Sequence, residues 1–140
     1  MTPNQPSGNR KVHQLRLVVE VEDLDEALAF YRDALGLTEE LAVDSDRGAS
    51  VVILDAGRAT LELANKAQTQ LIDDIEVGRK VSRQIRVAFE VKDVEVATTD
   101  LTRAGAELVA PPTETPWRSL NSRLEAPAGL QITLFEELDG

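Results

Sequence analysis

The sequence predicts an α+β fold made of two tandem βαβββ modules, and three observations carry the prediction. A ten-residue phrase, Leu15 to Leu24 (LRLVVEVEDL), returns as Ile85 to Val94 (IRVAFEVKDV) with Arg, Glu, Val and Asp at matching places. Internal repetition of this kind outranks local signals in reading a fold. Each copy alternates apolar with mixed residues, Leu15, Leu17, Val19 and Val21 against Arg16, Val18 and Glu20, then Ile85, Val87, Phe89 and Val91 against Arg86, Ala88 and Glu90. That period of two is the mark of a half-buried strand. Each copy then runs through an Asp into a helical stripe that a glycine closes, Asp23 to Gly36 and Asp93 to Gly105.

The elements follow in order. Val12 to Val21 is a strand, and Asp23 caps a helix over Leu24 to Ala34, with Leu24, Ala27, Leu28, Tyr31 and Leu35 on one stripe and Phe30 beside it. Tyr31 and Phe30 are expected to pack this helix on the sheet. Strands at Thr38 to Val43, Ala49 to Leu54 and Arg58 to Ala64 complete the first module. In the second, the strand Gln84 to Val91 leads through Asp93 into a helix, Val94 to Arg103. A short strand, Leu108 to Ala110, is expected to stop at Pro111-Pro112. Trp117 to Leu124 is the next strand, and the turn Ala126 to Gly129 leads into the last, Leu130 to Phe135. The organisation is then a loose tail at 1–11 and a single domain at 12–137, with module one at 12–64, a connecting segment at 65–83 and module two at 84–137. The connector is too long for a tight turn, and Leu71, Ile72, Ile75 and Val77 suit a short helix or lid.

Composition narrows the function. The chain has 140 residues and a formal charge of −10, with no basic stripe to neutralise phosphates, which argues against nucleic acid and anionic membrane as partners. It has no cysteine, so disulfides, thiolate nucleophiles and Cys-based metal sites are out, and chemistry must come from oxygen and nitrogen groups. The sequence shows neither a charged-then-apolar leader nor a spanning segment, and a cytoplasmic location is expected.

The phrase Val21 to Leu37 (VEDLDEALAFYRDALGL) resembles the first helix of the vicinal oxygen chelate superfamily, which includes glyoxalases, ring-cleaving dioxygenases, fosfomycin-resistance enzymes and bleomycin-binding proteins. Ala126 to Glu137 (APAGLQITLFEE) is similar to the family's closing turn and last strand, and the resemblance covers roughly residues 12 to 137. It implies curved mixed sheets around a shared cleft, commonly in a homodimer. It does not imply one reaction, since one scaffold serves many chemistries and some pure binders.

The resemblance also implies where a metal would sit: a His or Gln on the first strand of each module and a Glu on the last strand of each. These positions fall at Arg16, Arg86, Glu62 and Thr133. Arginine cannot be deprotonated and cannot ligate a metal, and threonine is a poor ligand, so no metal and no cofactor are expected. The alternation puts Arg16, Glu20, Glu62, Gln84, Arg86, Glu90 and Gln131 on the cleft floor. Two readings stand side by side. In one, Arg16 and Arg86 pair with Glu62 and its neighbours in a structural network that replaces the metal. In the other, the two guanidiniums clamp an anionic or carbonyl-bearing small molecule.

Trp117, with Ser119 and Asn121 on the same strand parity, and Phe135 are the further candidates for the pocket; as core residues they would be equally ordinary. His13, the single histidine, shares the face of Leu15 and Leu17, away from the cleft. Asp73, Asp74 and Glu76 lack the glycine and spacing of a Ca²⁺ loop and read as a solvated charge run. The chain is thus read as a small-molecule-binding, glyoxalase and bleomycin-resistance-like protein without a catalytic metal. The alternative is a metal-dependent lyase or dioxygenase of the same superfamily with a rearranged metal site.

Overall fold

The computed structural model describes residues 11 to 138; the sequence's tail at 1–10 lies outside the described residues. Eight strands and three helices follow one another as β1 (Val12–Val21), α1 (Leu24–Leu28), β2 (Thr38–Asp44), β3 (Ser50–Asp55), β4 (Thr60–Asn65), α2 (Lys66–Glu76), β5 (Ile85–Val91), α3 (Val94–Arg103), β6 (Glu107–Glu114), β7 (Ser119–Ala126) and β8 (Leu130–Glu137). The strands form one mixed sheet in the order β2-β3-β4-β1-β5-β8-β7-β6. Its two halves repeat the same connectivity: β1 lies parallel to β4 and β5 parallel to β8, and the halves are fused where β1 and β5 run antiparallel, with Val18 opposite Arg86. The repeated phrase therefore forms the seam of the molecule. The sheet curls without closing, and its free edges are β2 and β6.

Helices α1 and α3 cover one face of the sheet. Leu28 packs with Val52, Leu54 and Leu63 in the first half, and Val94 with Val91, Leu124, Ile132 and Leu134 in the second. Asp23 and Asp93 cap the two helices, accepting from the backbone N–H of Glu26 and Val96 at 3.0 and 3.1 Å, which satisfies donors a helix start leaves orphaned. The opposite face is lined by α2 and by the cavity described below. Buried side chains on both faces of β3, Val51 to Leu54, show that the sheet separates two packed layers. Among the described residues no helix is long and apolar enough to cross a membrane.

Four expectations are corrected. The first helix ends as an α-helix at Leu28 and widens into a π-turn over Ala29–Ala34, where the Leu35 N–H reaches back five residues to the Phe30 carbonyl at 2.8 Å. The wider turn rotates the following side chains out of phase with the 3.6-residue stripe. Phe30 and Tyr31 consequently stack edge to face on each other at 4.9 Å between centroids and stand exposed, as does Leu35, instead of packing on the sheet. β6 does not stop at Pro111-Pro112 but continues through both prolines to Glu114. As an edge strand it has no neighbour on one side, and register shifts between Leu108 and Ala110 and between Ala110 and Thr113 absorb the lost donors.

The third correction concerns Trp117, which precedes β7 instead of opening it. A tight turn holds it there: the Thr115 N–H donates to the Ser119 carbonyl at 2.8 Å, the Arg118 N–H to the Thr115 carbonyl at 3.1 Å, and Arg118 takes a left-handed φ of 64°. The fourth concerns the run at Asp73 to Glu76. Asp74 is exposed, but Asp73 is wholly buried and Glu76 nearly so, both on α2 against β7. Lesser differences shift β3, β4 and the ends of β7 and β8 by one or two residues.

Candidate functional site

A cavity of about 470 Å³ opens on the inner face of the sheet beneath α2. Cross-strand register lays out its floor. One row runs Leu41 on β2, Ile53 on β3, Glu62 on β4, Val18 on β1 and Arg86 on β5, each opposite the next. The adjacent row runs Thr60, Arg16, Ala88, Thr133 and Arg123. Side chains alternate across a strand, so the residues of these rows that face the cavity are set by the sheet and do not depend on loop conformation. Of the residues the sequence singles out, Arg16, Glu62, Arg86, Trp117, Ser119, Asn121, Thr133 and Phe135 line it.

Arg86 is the centre of the floor. It is 7% exposed, its Nη1 donates to the Thr133 hydroxyl at 2.8 Å, and no carboxylate among the described residues lies within salt-bridge distance. Burial lowers its pKa from the ordinary guanidinium value; the charge of Arg123 adds to this, and the charges of Glu76, Glu62 and Asp73 oppose it. Guanidinium stays protonated in proteins, so the floor carries a desolvated cation with most of its donors unspent.

Arg16 is held differently. Its Nε donates to Gln14 Oε1 at 2.8 Å, and that oxygen also accepts from the Thr60 hydroxyl at 2.9 Å. Its two terminal nitrogens are 3.8 Å from Glu62 and 3.9 Å from Glu137, and the guanidinium lies over the Phe135 ring at 4.9 Å from the centroid. A cation over an aromatic face gains roughly 0.5 to 2 kcal/mol. Glu62 is raised above the usual carboxylate range, because burial outweighs the pull of Arg86 and Arg16 and Glu76 adds to the rise. The network of arginines paired to Glu62 is thus half formed: Arg16 leans toward Glu62, and Arg86 does not pair.

The tight ion pairs lie elsewhere. Arg123 is 0% exposed and donates to Glu76 at 2.7 Å, to Asp73 at 3.2 Å, to the Ser82 hydroxyl at 3.0 Å and to Gln131 at 3.3 Å. Glu76 accepts from Asn121 at 2.7 Å, and Asn121 in turn accepts from the Ser119 hydroxyl at 2.7 Å. Burial by itself raises Asp73, but the Ser82 hydroxyl and backbone N–H, the Val81 N–H and the charge of Arg123 outweigh it and hold the carboxyl below its usual range. This chain of bonds clamps α2 onto β7 and fixes Ser119 and Asn121 at the cavity wall.

Several residues expected on the floor are placed elsewhere. Gln131 is buried in the Arg123 network, Glu90 bonds Gln14 at 3.2 Å, Gln84 is exposed and bonds the Glu20 carbonyl at 3.4 Å, and none of these four, Glu20 included, lines the cavity. His13 is exposed and away from it. Missed by the sequence reading were Arg123, Asp73 and Glu76, together with Gln68, a buried α2 residue at the cavity whose Oε1 has no partner. The signal existed: Gln68, Ile72 and Glu76 recur every fourth residue, and the alternation through Ser119 and Asn121 continues to Arg123.

The four positions where the resemblance implies a metal hold Arg16, Glu62, Arg86 and Thr133, two permanent cations around a single carboxylate. That donor set does not fit a divalent ion. Among the described residues no three His, Cys, Asp or Glu side chains converge into one.

The Glyoxalase/Bleomycin resistance protein/Dioxygenase superfamily profile matches residues 13–134, and the chain belongs to that family. No curated protein sequence matches it. Among solved structures it is similar to a hypothetical protein from Bacillus halodurans C-125, at 17% identity over 89% of this chain and 94% of that one with a TM-score of 0.67. It is also similar to methylmalonyl-CoA epimerase from Mycobacterium tuberculosis, at 20% identity over 94% and 92% of the two chains with a TM-score of 0.66. A Streptomyces coelicolor methylmalonyl-CoA epimerase in complex with 2-nitronate-propionyl-CoA matches at 20% identity over 89% and 96%, with a TM-score of 0.62. At these identities the likeness is one of fold.

Proposed function

We propose that this protein binds a small molecule through a carboxylate or carbonyl oxygen, with Arg86 as the principal anchor and Arg16, Thr133, Ser119, Asn121 and Trp117 completing the site, and that it does so without a catalytic metal. One observation carries the reading. Arg86 is desolvated on the cavity floor with a single neutral hydrogen-bond partner. Buried charges persist when they are paired or serve a ligand, and a guanidinium is a planar fork suited to carboxylate and enolate oxygens. Glu62 beside Arg16 is placed to accept from a ligand hydroxyl or amide. The overall negative charge does not oppose this, because the field of distant surface charges is screened within about 8 to 10 Å while a desolvated contact is not.

The protein is further read as a cytoplasmic homodimer. The edge strand β2, exposed at all seven positions, supports pairing, since long exposed edges are otherwise prone to uncontrolled association. The test of the anchor is a thermal-shift screen of small carboxylates, carbonyl compounds and cations, followed by calorimetry on the wild type and Arg86→Met. Carboxylate or carbonyl hits that weaken in Arg86→Met support the reading. Hits confined to cations, unaffected or strengthened by the substitution, overturn it.

A further inference from the structure

The floor of the cavity is charged toward β5 and apolar toward β2, and the division follows strand order. From Arg86 the floor row passes Val18 and Glu62 and then becomes wholly apolar, Ile53 on β3 and Leu41 on β2. Val43 and Val51 flank this end on the same two strands, and Leu71 and Ile72 of α2 line the same cavity. Leu41 and Val43 are half-exposed apolar side chains on a strand that has no neighbour on its far side. At about 4.8 Å per strand, Ile53 lies roughly 14 Å along the sheet from Arg86 and Leu41 roughly 19 Å, so no compact anion reaches both ends. The interval between them is spanned by Val18 and by the side chain of Glu62, whose charge is drawn toward Arg16 at 3.8 Å. Gln68 of α2, whose buried Oε1 has no partner, is among the residues lining the same cavity.

We infer that the ligand class is an amphipathic carboxylate, its acid head on Arg86 and an aliphatic tail laid along the β2–β3 strands under Leu71 and Ile72. This rests on the proposed function for the head group and adds the tail independently. Each buried methylene contributes about 0.8 kcal/mol, close to a fourfold gain in affinity.

The test is calorimetric titration of acetate, hexanoate, decanoate and decanol into the wild type, Arg86→Met, Leu41→Asn and Leu71→Gln, all checked for folding by circular dichroism. Both wall substitutions fall on residues that are not fully buried, so they spare the core. The inference predicts that affinity climbs from acetate to decanoate, that Leu41→Asn and Leu71→Gln each flatten the climb by about fourfold or more, the worth of one methylene, and that Arg86→Met weakens decanoate at least tenfold. Equal affinity for acetate and decanoate, with Arg86 dependence intact, overturns the tail wall and leaves the anchor standing. Decanol binding as tightly as decanoate, and indifferent to Arg86→Met, overturns the acid head and leaves the wall standing. No binding by any of the three acids overturns both.

Discussion

Arg123 donates to Glu76 at 2.7 Å across the space between β7 and α2, with the guanidinium 0% exposed. Breaking a buried pair costs more than the pair contributes, because the partner left behind is an uncompensated charge. Here two partners would be left, Asp73 and Glu76. Arg123→Met is therefore expected to destabilise the fold by about 3 to 5 kcal/mol, read as a lower urea midpoint. Adding Asp73→Asn and Glu76→Gln to Arg123→Met should recover most of the loss; a triple variant no more stable than the single one would mean that packing, not charge, is at stake.

The acid limb of stability reports Asp73. Its native pKa lies below the unfolded value, so the native state releases the proton more readily and the stabilisation is complete above the ordinary carboxylate range. As pH falls through that range toward the native value, from about pH 5 downward, the stabilisation is lost. The thermal midpoint of the wild type should drop over this interval, and Asp73→Asn should start lower and drop less. Parallel curves for the two proteins would remove Asp73 from the account.

Glu62 has the opposite sign. Its native pKa is raised from the ordinary value of 4.5, so the native state holds the proton more tightly, and stability falls as pH rises from that value through the native one. Glu62→Gln should erase that fall and leave the unliganded protein more stable at neutral pH. A variant less stable than wild type at pH 7 would show that the contact with Arg16 outweighs burial.

What the sequence could and could not reveal follows from which residues shared a local pattern. Arg16 and Arg86 are found because the repeat places them at equivalent positions of β1 and β5, and the alternation of each strand then gives their face without any knowledge of contacts. Glu62 and Thr133 follow from the same equivalence on β4 and β8. Arg123 could not be paired in the same way, since its partners lie 47 and 50 residues earlier on a helix of the connecting segment. In one dimension Asp73, Asp74 and Glu76 are a charge run like any other; only the packing of α2 on the sheet decides that two are buried and one is not. The π-turn after Leu28 is likewise invisible to a 3.6-residue stripe, which is why the stripe puts Phe30 and Tyr31 on the sheet and the structure does not.

The exposed edge strand motivates a prediction about assembly. β2 is exposed along its whole length, and Phe30 and Leu35 stand above 60% exposure. A homodimer at micromolar concentration is expected in sedimentation velocity, with the two copies related by a closed symmetry. A clean monomer over that range would contradict it.

The two buried arginines of the inner face make the sharpest contrast. Arg123 spends both terminal nitrogens on two carboxylates, a hydroxyl and an amide and leaves its buried Nε without a partner, whereas Arg86 has one bond, to Thr133. If Arg86 is held for a ligand, its replacement should cost the unliganded fold little and the complex much. Arg86→Met removes one hydrogen bond from an ionised donor, worth at most about 3 kcal/mol, and at the same time relieves a buried charge, so the unliganded protein should lose well under that amount. Binding of a carboxylate should weaken by roughly 1.5 to 3 kcal/mol, the range for a charge-assisted hydrogen bond. Urea unfolding without ligand and calorimetry with it measure the two separately. Substitution that unfolds the protein as severely as Arg123→Met would place Arg86 in the structural network with Glu62 and Glu76, and the anchor would have to be sought at Arg16.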